Sequence, residues 1–222
     1  MQLAYTYAKS LDAGSVADVD GSSVQDPYNL LTPEYARSDF NQTHLLRLNG
    51  VWNLPRLDGL GAMRHIIGGW GLSGIVNYSS GTPFSVTTGA PAAWLGPGRS
   101  VGNLRLNLVH NPCAGCGSRQ SWARTGYFDT TAYVTPPTGT FGNSGRNSLI
   151  GPSYFATDAS AVKNFPFLKR EGSNIQFRAD FFNLFNNVPF NNPTTASSSA
   201  VFGKVTSAGN ARQIQLALRV SF

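Results

Sequence analysis

The chain has 222 residues and a formal charge of +6, yet only 13% of its residues are charged, about half the usual share. Gly (24) and Pro (13) are plentiful, and with the many Asn, Ser and Thr they suit strands joined by long, turn-rich connections. No apolar run approaches the roughly 20 residues that a membrane helix needs, which excludes helical spanning but leaves membrane strands of about 9 to 11 residues open.

The first five residues, Met1 to Tyr5, show neither a basic n-region nor an apolar h-region. A strand begins at once, about Leu3 to Lys9, with Leu3, Tyr5 and Tyr7 alternating with Ala4, Thr6 and Ala8. A start inside structure is expected of a piece of a larger protein. The polar segment 11–43 follows. Its Asp18-Val19-Asp20-Gly21 run hints at calcium, but the loop pattern needs Gly at its sixth position and Glu at its twelfth, where Ser23 and Asn29 stand. It is read as a loop without metal.

The second strand, His44 to Leu54, sets Leu46, Leu48, Trp52 and Leu54 against Arg47, Asn49 and Asn53, and Pro55 ends it. Trp70 opens the third, with Leu72, Val76 and Tyr78 opposite Ser73, Asn77 and Ser79; it is expected to bend at Gly81-Thr82-Pro83 and continue to about Val86. Residues 89–152 form the longest irregular stretch. The fourth strand, about Tyr154 to Phe165, has Asp158, Ser160 and Asn164 on one face and Phe155, Ala159 and Ala161 on the other. The fifth, Ile175 to Phe185, sets Ile175, Phe177, Ala179 and Phe181 against Gln176, Arg178 and Asp180. The last, from Arg212, sets Ile214, Leu216, Leu218, Val220 and Phe222 against Gln213, Gln215, Arg219 and Ser221.

Each strand thus has one apolar and one polar face. In a soluble sandwich the apolar face is core; in an outer-membrane barrel it meets lipid while the polar face lines the lumen. The connections after the first, third and fifth strands are long and those after the second and fourth shorter, so up-and-down pairing puts every long connection on one edge. Trp52, Trp70, Phe165, Phe167 and Phe222 gather near the opposite edge, where they fit an interfacial girdle or, equally, the core of a sandwich.

Charges are segregated by loop. Residues 11–43 carry Asp12, Asp18, Asp20, Asp26, Glu34 and Asp39 against Arg37, whereas 89–152 carry Arg99, Arg105, Arg119, Arg124 and Arg146 against Asp129. This is a solvated loop surface, not a basic nucleic-acid footprint. Cys113-Ala114-Gly115-Cys116 is a lone CxxC. Zinc needs a second ligand pair, which His44, His65 and His110 are not spaced to supply, and a redox motif needs a βαβ setting. A disulfide is favoured if the loop lies outside the cell, with free thiols and metal as the alternatives. Gly142-Asn143-Ser144-Gly145 lacks the strand-turn-helix setting of a serine nucleophile and reads as a turn. No catalytic residue, metal or cofactor is assigned.

Several blocks resemble the late barrel strands of TonB-dependent outer-membrane receptors of the Oar-like group. They are Gly69 to Ile75 (GWGLSGI), Ser80 to Phe84 (SGTPF), Gly139 to Asn147 (GTFGNSGRN), Asp158 to Phe165, Arg178 to Asn186 (RADFFNLFN), Phe202 to Gly209 (FGKVTSAG) and Arg212 to Gln215, in the family's order. The resemblance implies an all-β fold: about six strands of an antiparallel, up-and-down, 22-strand transmembrane barrel with long extracellular loops. Residues 1–222 would be its C-terminal portion, the plug and N-terminal domains, often with a carboxypeptidase-regulatory-like domain, being absent. A signal sequence and TonB box are also missing from the pattern, and Ala159 and Ala161 stand where larger aliphatics are common.

The implied function is active uptake of a siderophore, oligosaccharide or peptide across the outer membrane, not catalysis. The implied partners are outer-membrane lipid, the rest of the barrel and plug, the TonB energy-coupling complex, and the barrel-assembly machinery, to which Phe222 would present the C-terminal signal. Asp158, Ser160, Gln176, Arg178, Asp180, Gln213, Gln215 and Arg219 are the candidates for the lumen face. Arg178 and Asp180 can pair there and stiffen the wall around the plug. The loop aromatics Trp94, Trp122, Tyr127 and Phe128 are candidates for stacking on sugars, or for no binding at all. The rival reading is a secreted or surface β-sandwich for adhesion or glycan binding, and it predicts a water-soluble monomer.

Overall fold

The computed structural model describes residues 1–15, 24–26, 29, 34–55, 61, 64–89, 104–166 and 173–222. In chain order the strands are β1 (Gln2–Tyr7), β2 (Leu11–Asp12), β3 (Ala36–Arg37), β4 (His44–Asn53), β5 (Trp70–Ser79), β6 (Pro83–Phe84), β7 (Asn107–Leu108), β8 (Tyr133–Val134), β9 (Leu149–Ile150), β10 (Tyr154–Pro166), β11 (Asn174–Phe182) and β12 (Gln213–Ser221). A single helical turn, α1 (Arg64–Ile67), precedes β5. No described helix is long and apolar enough to cross a membrane.

The six long strands, those with period-2 alternation, form one antiparallel sheet in the order β1-β4-β5-β10-β11-β12. Each pairs with its neighbour among the long strands in sequence, so the sheet is an up-and-down meander. Because Cα partners point to the same side, the register builds continuous rows. One row is apolar: Trp52, Leu72, Ala161, Ala179 and Leu216. The next is largely polar: Val51, Ser73, Ser160, Asp180 and Gln215. The sheet does not close: β1 and β12 are its two edges. The described residues include no second sheet layer packed on it, as a sandwich would require.

Two strands end three or more residues earlier than expected. β5 stops at Ser79 instead of running to Val86, because the chain leaves the sheet at Gly81. A Cβ there would collide with the Gly151 carbonyl, Gly151 N–H donates to Thr82 O at 2.9 Å, and β6 pairs with β9 outside the main sheet. β11 stops at Phe182 instead of Phe185. Asn183 takes φ 53°, a left-handed conformation that Asn tolerates, and the Asp158 carboxylate accepts its backbone N–H at 2.8 Å.

The buried hydrophobic core lies outside the sheet. It is built by the long connections 80–153 and 183–212 from Phe84, Val86, Leu106, Trp122, Phe128 and Val205 together with Tyr127, Ala132, Tyr133 and Leu149. Phe128 packs edge-on against Tyr133 and Phe202 with centroids 5.7 and 5.5 Å apart, and Trp122 against Tyr127 at 4.8 Å, the geometry ring quadrupoles favour. The third connection is stitched in by backbone bonds, Tyr127 N to Gly203 O at 2.7 Å and Val205 N to Trp122 O at 3.2 Å. The described part of the stretch read as irregular, 104–152, is thus a folded cap on one edge of the sheet.

Candidate functional site

The polar sheet face carries all eight sequence candidates, since their register gives them one parity. Over it runs a trough of about 760 Å³ of mixed lining: Ser73, Asp158, Arg178 and Asp180 stand beside the exposed apolar side chains of Val51, Ile75 and Phe182. Arg178 Nε donates to both Asp180 oxygens at 2.9 and 2.8 Å, and Gln176 Nε2 donates to Asn164 Oδ1 at 3.0 Å. Asp158 is committed to the turn at Asn183. Gln213, Gln215 and Arg219 lie on the exposed edge strand β12.

On the apolar face, Trp52 and Trp70 flank the shorter connection between β4 and β5, while Phe165 and Phe222 lie at the ends of β10 and β12 on that same edge. Trp52 is 65% and Phe222 96% exposed. Phe167 lies outside the described residues. Lys163 shares the parity of the apolar face, as Trp70 and Phe177 stand opposite it, and it is a position the alternation missed. It is only 4% exposed. Its Nζ donates to the carbonyls of Ile66 (2.8 Å) and Gly68 (2.7 Å) and lies 5.1 and 5.3 Å from the ring centres of Trp70 and Phe165. The stem stays on the apolar face while the ammonium reaches the polar connection.

In the cap three of the charges read as a solvated surface, Glu34, Arg105 and Arg146, are instead paired and buried, while Arg124 and Asp129 stay exposed. Glu34 has no exposed surface and Arg105 only 2%. Arg105 grips Glu34 as a fork, Nη1 to Oε2 at 2.8 Å and Nη2 to Oε1 at 3.0 Å, the bidentate geometry that strengthens such pairs. Gln25 N–H also donates to Glu34 Oε1, at 3.0 Å. The Gln25 side chain accepts from Arg105 N at 2.8 Å and donates to Gly142 O at 3.0 Å. Gly142 is required here, because a Cβ would collide with the Arg105 carbonyl. Arg146 donates to Glu34 O at 2.8 Å and to the backbone and carboxylate of Asp12, and Asp39 lies 3.6 Å away. Burial pushes the Asp12 carboxyl up, but hydrogen bonds from Ser38, Arg146 and Ser15 and the Arg146 charge outweigh it and hold Asp12 below the usual carboxylate range. The acidic first connection and the basic second one are complementary surfaces docked on each other. Segregation of charge by loop was the sequence signal for this.

The remaining candidates are placed plainly. Trp122, Tyr127 and Phe128 are core, not exposed stacking platforms, and burial pushes the Tyr127 and Tyr133 phenols up to about 12. Cys113 and Cys116 form a disulfide in a turn. Ser144 is buried, with its carbonyl accepting from Arg105 Nε at 2.9 Å. His44 Nδ1 bonds the Tyr5 hydroxyl at 2.8 Å, and His110 contacts Thr131 far along the chain. Among the described residues no cluster of His, Cys, Asp or Glu could hold a metal ion. Asp18, Asp20, Arg99, Trp94 and the side chain of His65 lie outside the described residues.

The model of a family described as outer membrane beta barrel domain matches residues 1–215. The chain belongs to this family. An outer membrane beta barrel domain resides in the outer membrane, and its hydrocarbon takes the place of a second protein layer over an apolar sheet face. Membership in the outer membrane beta barrel family also suits the meander, since such barrels are antiparallel with long connections on one edge. No curated protein matches the chain, and no solved structure does.

Proposed function

We propose that the chain is the C-terminal part of the barrel wall of a TonB-dependent outer-membrane receptor of the Oar-like group. The face with the charged and polar candidates lines the lumen and the cap stands on the cell exterior. The observation that carries this reading is one sheet with an apolar face, an opposite face that holds the charged and polar candidates, and two unpaired edges. Unpaired backbone groups in hydrocarbon cost several kcal/mol each, so β1 and β12 call for further strands of a larger barrel. The ordered sequence blocks supply the receptor assignment. Trp52, Trp70, Phe165 and Phe222 then lie at the periplasmic interface, with Phe222 presented to the assembly machinery. Uptake of a siderophore, oligosaccharide or peptide is driven by the TonB complex through the plug, and this chain contributes wall and cap.

The test is a denaturing immunoblot of fractionated source cells with an antibody to residues 115–130. A band far larger than the 23.8 kDa of this chain, in the outer-membrane fraction, is the expected result. A soluble band near 23.8 kDa would overturn the reading.

A further inference from the structure

The polar face contains a cluster whose side chains have no hydrogen-bond partner among the described residues. Arg47 on β4 stands opposite Asn77 on β5, and Tyr154 on β10 stands opposite Ser79, one pair nearer the cap. Together with Gln42 they line a cavity of about 440 Å³ just beneath the long connections. The cross-strand neighbours of Arg47 and Asn77 are Ala4 and Ala156, too small to fill the space, and Leu45, Tyr78 and Ser79 complete the lining. Among the described residues, Gln42, Arg47, Asn77 and Tyr154 make no side-chain hydrogen bond or ion pair. The two carboxylates that the described long strands place on this face are committed elsewhere, Asp180 to Arg178 and Asp158 to the Asn183 N–H. Arg47 therefore has no acid on these strands to pair with.

The lining has one donor-only group, the Arg47 guanidinium, two amides and a phenol that can also donate, and no carboxylate. Such a set matches an anionic acceptor, and the planar fork matches a carboxylate best. The Tyr154 ring, 43% exposed, offers a flat surface beside it for a ring-sized body. We infer that this cavity is a binding site for a carboxylate, borne by a ring-sized group where it comes from a solute. The inference rests on the receptor reading in taking the polar face as the lumen wall. The carboxylate can belong to a solute or to an acidic side chain of another segment of the same protein.

The test uses the protein containing this chain, extracted in detergent from whichever cell fraction holds it, with labelled benzoate in equilibrium dialysis and benzyl alcohol as the uncharged control. For a solute site, benzoate binds saturably, benzyl alcohol does not, and Arg47→Gln weakens binding about tenfold or more. For an internal acid, benzoate does not bind, but Arg47→Gln lowers the melting temperature and Arg47→Lys restores part of it. Arg47 is exposed and without described partners, so neither change threatens folding by itself. Benzoate binding indifferent to Arg47→Gln, equal binding of benzyl alcohol, or neither binding nor a melting shift overturns the inference. Arg47-dependent binding in a soluble 23.8 kDa protein would keep the site and sink the receptor reading.

Discussion

Glu34 holds the cap together because its carboxylate answers donors from two places in the chain, the Arg105 fork and the Gln25 N–H. Removing it strands a buried guanidinium, a loss that costs about 3–5 kcal/mol in comparable sites. Trypsin acting on the membrane-bound protein should cut after the exposed Arg124 and spare Arg105; in Glu34→Ala, cleavage after Arg105 should appear. Continued protection of Arg105 would show that the pair does not hold the cap. Asp12 makes the same docking sensitive to acid. Its folded pKa lies below its unfolded value of about 3.9, so its stabilisation is fully present above that value and is lost as pH falls through the lower, folded one. Near-ultraviolet circular dichroism of the cap aromatics should decay in that acid window, and Asp12→Asn should remove its share of the dependence.

At the scale of elements, the strands are legible because alternation is a local property and the sheet keeps it. Adjacent residues on β12 make a parity test. Leu216 belongs to the apolar row with Ala179, and Gln215 to the polar row with Asp180. Leu216→Arg should lower the amount of protein assembled in the outer membrane, since a cation on the lipid face costs about 2–4 kcal/mol near the bilayer midplane. Gln215→Arg should leave that amount unchanged; a loss for Gln215→Arg alone would reverse the faces, and equal losses would sink the assignment. Strand ends were less legible. They depend on what receives the chain: Gly151 against Gly81 for β5, and the Asp158 carboxylate at Asn183 for β11. Those partners are distant in sequence. Lys163 was hidden for a similar reason, because its acceptors at Ile66 and Gly68 lie in another connection.

The whole molecule consists of a sheet that relies on its surroundings and a cap with a core of its own. The cap core is concentrated in a few rings, so Phe128→Ala should cost the cap about 3–5 kcal/mol. The aromatic signal should then melt at a lower temperature while the far-ultraviolet strand signal holds. A single shared transition would mean that cap and sheet fold as one unit.

By itself the sequence determined the six-strand meander, its apolar and polar faces and the edge on which the long connections lie, because each follows from spacing along the chain. Tertiary structure decided which parts of those connections are interior. Trp122, Tyr127 and Phe128 have no strand periodicity to announce burial, and Glu34 and Arg105 carry charges that solvent would ordinarily claim. Their partners lie far away in the chain, so only the docking of one long connection on another could remove them from water.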